Sequence, residues 1–212
     1  MRRAPGPIGV VFAASLAVVI MLLGPLLLFN PWFTSSLQAR HDVAGAFGTT
    51  QAAVDRVTGE LLRDIYLDGP FTASFEGDEP LLDAAERSHM ADVAHLAQVL
   101  VGITVVAVVL VAATGTALRA ERRRRGRLMV LAAGSVGTLA VVLAAAFGLA
   151  FDATFRLFHQ VFFPGGNWEF ATGSNLITLF PEPFWFDAAL VVTVAGLRRW
   201  RPGETDASSG LL

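Results

Sequence analysis

Four histidines, His41, His89, His95 and His159, are the groups best suited to move protons in this chain. An imidazole with an ordinary pKa of about 6.5 both takes and gives a proton near neutrality. His89 lies in Glu86-Arg87-Ser88-His89-Met90-Ala91-Asp92-Val93. On a helix it shares a face with Asp92, three positions on, within reach of a hydrogen bond. His159 opens a polar series, His159, Gln160, Asn167 and Glu169, threaded through an aromatic stretch from Phe155 to Phe170 that also holds Trp168. Arg156 would face His159 on a helix, where it either lowers the histidine pKa by like-charge repulsion or anchors a phosphate. His41, between Arg40 and Asp42, reads as a solvated surface residue. His95 reads as a structural group bonded to Asp92 or to a neighbouring helix.

Two imidazoles facing one apolar crevice suit acyl transfer between groups carried by a lipid. One takes a proton from the attacking nucleophile, and the other returns a proton to the leaving oxygen or supports the oxyanion. Ordering the two reacting groups is worth about 7–11 kcal/mol of barrier in favourable cases. An alternative makes His89, Asp92, His95 and His159 ligands of a zinc ion, although no HExxH or comparable spacing is present. Cysteine is absent, which excludes a disulfide framework, a thiolate metal site and a cysteine nucleophile. No motif for a cofactor or nucleotide occurs, and no metal is expected.

The elements that must hold these groups are membrane helices. Of 212 residues 54% are hydrophobic and 16% charged, with mean hydropathy +0.56, whereas soluble domains carry about 25% charged residues. The net charge of -2 offers nothing to a nucleic acid. Uncharged or nearly uncharged runs at 8–29, 93–118, 128–151 and 183–200 are long enough, or nearly so, to cross about 30 Å of hydrocarbon. The first is read as a retained span, since a secretory apolar region is typically only about 7–15 residues long. The fourth contains Asp187. Eleven of the 16 arginines and only three acids flank one set of span ends, including the 119–127 loop; the other set holds five arginines and 15 acids. These sides carry +8 and -10, so the basic side is expected in the cytoplasm with both termini. The expected fold is therefore an all-α bundle of four spans forming a single integral membrane domain. Residues 30–92 and 152–182 then face outward. Within the first, Val54, Val57, Leu61, Leu62 and Ile65 recur at helical spacing and predict an amphipathic helix over 49–67, ended by Asp68-Gly69-Pro70. Residues 81–93 are expected to run as helix directly into the second span.

The histidine segments also resemble a known family. Ser88-His89-Met90-Ala91-Asp92-Val93 is similar to its "SHMxDV" element, and Phe158-His159-Gln160-Val161-Phe162-Phe163 through Asn167-Trp168-Glu169-Phe170 to its "FHxxFF…W.F" element. Asn175-Leu176-Ile177 and Leu179-Phe180-Pro181-Glu182-Pro183-Phe184-Trp185 resemble a third, and the order agrees. The family is that of the bacterial lipoprotein intramolecular transacylases, which move the sn-2 acyl chain of a lipoprotein diacylglyceryl group onto the α-amine of its N-terminal cysteine. The resemblance implies that His89 and His159 are the catalytic pair. Asp92 would orient a histidine or hold the helix, and Asn167 and Trp168 would shape the substrate crevice. Arg156, Gln160, Glu169 and Asp187 complete the candidate supporting groups. The partners so implied are diacylated lipoproteins and membrane lipid, with the site on the outer face of the plasma membrane. Two other readings are a non-enzymatic protein that binds lipid or a partner through its aromatic outer loop, and an acyl hydrolase in which water replaces the amine.

Overall fold

The computed structural model describes residues 6–28 and 30–198. Those residues contain helices and no strand, in the order α1 (Pro7–Leu27), α2 (Pro31–Arg40), α3 (Val43–Ala46), α4 (Gln51–Leu67), α5 (Ala84–Ala117), α6 (Arg122–Leu149), α7 (Phe151–Phe162), α8 (Asn175–Leu179) and α9 (Glu182–Arg198). Three of them, α1, α5 and α6, are long and apolar enough to cross a membrane. Helix α1 packs on both α5 and α6, with Phe12, Leu118 and Leu128 meeting at one end. A side chain at Gly115 would press against the Phe12 ring, at 3.3 Å, so the small residue permits the close approach of α1. The expected fourth span coincides with α9, which packs on α6. Its 17 residues reach about 26 Å at ~1.5 Å per residue, and positions 199–200 of the expected span lie outside the described residues.

The segment before the second span is a built cap with a core of its own. Helix α4 buries Val54, Val57, Leu61, Leu62 and Ile65, the stripe predicted from the sequence. Thr50 caps its first turn by accepting from the Ala53 N–H at 3.2 Å. Asp68 ends it in the left-handed conformation, at φ 55°. The α4 stripe packs against Phe71, Leu82, Met90, Ala94 and Ala97, and against Leu176 and Leu179 of α8. Helix α5 therefore belongs to two environments. Its 34 residues span about 51 Å at ~1.5 Å per residue, well beyond the ~30 Å of a hydrocarbon layer. The polar first nine residues, 84–92, stand clear of the spanning part and join the cap. They start at a capping box: Asp83 accepts from the Glu86 N–H, and Glu86 accepts from the Asp83 N–H, both at 2.8 Å.

The arginine-rich stretch differs from expectation. Helix α6 begins at Arg122, so most of the expected 119–127 loop is the first turns of a helix. Arginine favours helix, and the Glu121 carboxylate takes Arg124 at 2.7 Å across the first turn. At its other end α6 breaks at Ala150, with φ -149° and ψ 59°, and α7 continues in a new direction with its own apolar and polar faces.

Candidate active site

The site forms where the cap portion of α5 meets α7. His89 and His159 are 6% and 8% exposed, and His159 is the one buried residue of α7. Their ring centroids are 5.9 Å apart and the rings are tilted by 30°. Aromatic rings wall both. Phe163 lies 4.8 Å from His89 and 5.6 Å from His159, and Phe170 lies 5.6 Å from His89. Phe155 and Trp168 flank His159 at 4.1 and 4.9 Å. Most of what surrounds the two imidazoles is therefore aromatic.

Local backbone geometry fixes one ring. The His159 Nδ1 lies 2.8 Å from the carbonyl oxygen of Phe155, one turn earlier. A carbonyl only accepts, so Nδ1 carries the proton, and in the neutral ring Nε2 holds a free electron pair. On the other side Asn167 links the outer loop to α5. Its Nδ2 donates to Asp92 Oδ2 at 2.6 Å and approaches Ser88 Oγ at 3.4 Å.

His89 belongs to the polar first turns of α5 and His159 to α7, apart from the apolar stretches of the long helices, and both are held neutral. Burial pushes the His89 imidazole down to about 4; His159 adds to the depression, while Asp92 and Asn167 partly offset it. Burial also lowers His159, against the Phe155 carbonyl, which favours the charged ring. Two neutral imidazoles at pH 7 are two proton acceptors.

The candidate residues divide clearly. Asp92, Asn167 and Trp168 gather round the histidine pair. Arg156 instead points towards Glu169, with 4.0 Å between guanidinium and carboxylate and both side chains largely exposed. The depression of His159 is therefore the work of burial and not of Arg156. Gln160 is exposed, and its side chain makes no hydrogen bond among the described residues. Asp187 sits elsewhere, taking His41 Nε2 at 3.0 Å and Arg40 Nε at 3.1 Å. His41 is thus not a solvated surface group: its side chain is 18% exposed and ties the end of α2 to α9. Helical spacing carries no information about this pair, whose partners lie 146 positions apart. His95 is exposed, and among the described residues its side chain bonds neither to Asp92, which serves Asn167, nor to a neighbouring helix. Among the described residues no three histidine or carboxylate groups come together as metal ligands, so the four candidates for zinc do not form a site.

Three residues at the site were not foreseen. Phe155 and Phe163 lie one helical turn before and one turn beyond His159, a spacing that marks them as neighbours once 155–163 is taken as helix. Glu86 is 1% exposed and also accepts from the Leu176 N–H at 2.8 Å, clamping α8 to the start of α5. Its signal was the Asp-x-x-Glu pattern at 83–86.

Comparison with known proteins agrees with this architecture. The model of the family "Lipoprotein intramolecular transacylase Lit" matches residues 8–185. The chain belongs to this family. Membership makes it a membrane enzyme of the acyltransferase class, concerned with lipoproteins. No curated protein matches the chain in sequence. Among solved structures it is similar to the membrane-integral Lit of Bacillus cereus, with TM-score 0.75 and 17% identity over 90% of this chain and 88% of that one. A form of the same Bacillus protein with one histidine replaced by alanine gives TM-score 0.68 and 16% identity, covering 90% of this chain and 88% of that one. At such identity the solved structures establish the shared fold of the transacylase.

Proposed function

We propose that this transacylase moves the sn-2 acyl chain of a diacylglyceryl lipoprotein onto the α-amine of its N-terminal cysteine, leaving a lyso-form lipoprotein. The enzyme is a single four-span domain of the bacterial plasma membrane with α9 as the fourth span, both termini cytoplasmic and the histidine pair on the outer side. The charge asymmetry of the flanks supports this orientation.

The observation that carries the chemistry is the pair of buried, neutral imidazoles in one aromatic crevice. An α-amine has a pKa of about 7.7–8.0 and arrives mostly as ammonium. It must lose one proton to expose its electron pair. The nitrogen then attacks the ester carbonyl carbon, forming the C–N bond, and the bond from that carbon to the sn-2 oxygen breaks. A second proton leaves the nitrogen and ends on the sn-2 oxygen as a hydroxyl. The balance is ammonium plus ester to amide, alcohol and one free proton, and two proton acceptors match the two protons moved. His159 offers Nε2 for one of them, its tautomer being set by the Phe155 carbonyl. The aromatic walls keep water from competing as nucleophile.

The test uses the purified protein in lipid vesicles with a synthetic diacylated lipopeptide. Fragmentation mass spectrometry should find one fatty acid on the cysteine nitrogen and one on the glyceryl, at unchanged total mass. Release of free fatty acid would replace this reading with an acyl hydrolase. An unmodified lipopeptide with folded protein present would leave a binding protein.

A further inference from the structure

The described residues contain two buried side-chain polar atoms without a hydrogen-bond partner, Nδ1 of His89 and Oδ1 of Asn167. Such groups are rare, because leaving one unmade inside a protein costs about 1–3 kcal/mol. The two belong together. The Asn167 amide sits on α5 at Ser88 and Asp92, the residues on either side of His89 along the helix, and spends its Nδ2 on them. With the nitrogen so committed, Oδ1 is the end of the amide left for His89. An amide oxygen only accepts, so the ring atom that can satisfy it is a protonated Nδ1.

Resting on the transacylase reading, we infer that Asn167 is a positioning residue that holds His89 in the Nδ1–H form, so that its Nε2 is the free acceptor presented to the substrate amine. His89 then matches His159: each ring has its Nδ1–H turned to a carbonyl oxygen and its Nε2 free. The difference lies behind the carbonyl. That of Phe155 is a neutral backbone group, whereas the Asn167 amide is hydrogen-bonded to a carboxylate 2.6 Å away. Asp92 and Asn167 offset part of the burial penalty on the His89 ring, which stays neutral in the resting site. Each Nε2 then accepts one of the two protons that leave the amine, one going on to the sn-2 oxygen and one to solvent. The ionisable groups that act on His89 are His159 on α7 and Asp92 on its own helix, while Glu86 is occupied by the N–H groups of Asp83 and Leu176. Arg156 and Glu169 face each other.

The experiment combines ¹⁵N NMR of the imidazole-labelled full-length protein in micelles with steady-state transacylation. The wild type should show His89 Nδ1 protonated and Nε2 free. Asn167→Ala should lose that tautomer and lower kcat by ~10- to 100-fold, part of the ~10²–10⁴-fold that positioned proton transfer contributes, with KM unchanged. The exchange Asp92→Asn with Asn167→Asp, which keeps an amide-to-carboxylate bond between the two positions and an acceptor for His89, should recover the tautomer and move the His89 titration to higher pH. The inference is overturned if Asn167→Ala keeps the tautomer, or if the exchanged pair fails to restore it. The NMR arm needs no substrate. Failure of the wild type to transfer an acyl chain would sink the functional reading while the tautomer still decides the role of Asn167.

Discussion

The two halves of the site are built by different means. His89 belongs to a packed cap: its neighbour Met90 lies in the same core as Val57 and Leu61, and buried Glu86 locks the turn before it. His159 belongs to α7, a helix that buries no other residue and meets α9 through the Phe155–Trp185 ring contact. Below the site, α5 and α6 turn most of their apolar side chains outward, with Leu131 at 62% and Val109 at 60% exposed. The cap is held together as a soluble domain is, by excluding water from its own core. The spans leave their apolar surface to lipid tails, which solvate it as well as protein would. The histidine pair thus joins a half packed into the cap core to a half carried on a helix with little burial of its own.

The largest effect should come from the pair itself. His89→Ala or His159→Ala is expected to lower transacylation by at least ~10²–10⁴-fold while helix content, read by circular dichroism, stays the same. The contrast between cap and spans can be tested directly by thermal unfolding in micelles. Leu61→Ala, at a fully buried cap position, should cost about 2–5 kcal/mol. Leu131→Ala, at a lipid-facing position, should stay within about 0.5 kcal/mol. Equal losses at the two would mean that the cap has no separate core. Glu86→Ala should cost about 1–3 kcal/mol, because it leaves the Asp83 and Leu176 N–H groups unpaired.

The pH dependence follows from the lowered histidines. Unfolded rings take protons near pH 6.5, whereas folded His89 resists until about 4. The unfolded state therefore binds more protons in that window, and stability should fall as pH drops from 6.5 towards 4 and level off below. Both rings should still be neutral in the folded enzyme as pH falls through 6.5, so the acid limb of kcat should lie below that value. A limb at or above 6.5 would contradict the burial of the pair. The smallest change is expected for Arg156→Gln: the exposed Arg156–Glu169 contact at 4.0 Å is worth about 0–1 kcal/mol, and the His159 titration should not move.

Much of this was legible in the sequence where the signal is local. The α4 stripe repeats at helical period, and its side chains are the buried ones. The helix from the cap into the second span follows from an unbroken pattern after Asp83. The meeting of His89 and His159 was carried by family resemblance, since no spacing rule relates positions 70 apart. Arg156 and His41 were misplaced for a related reason. Residues three apart share a helix face, but which face turns inward is decided by tertiary packing, and for α7 that face belongs to His159, with Phe155 and Trp168 against it. The break at Ala150 carries no proline or glycine at the position itself to announce it.

The central claim is that these two histidines shift an acyl chain within one lipoprotein. It is tested most directly in cells producing a reporter lipoprotein with the wild-type enzyme, His89→Ala or His159→Ala, by fragmenting the reporter's N-terminal lipopeptide. The account predicts a fatty acid on the cysteine nitrogen with the wild type, and a diacylglyceryl group with a free amine for each variant. N-acylation persisting in both variants would place the chemistry elsewhere, and its absence with the folded wild type would contradict the transacylation itself.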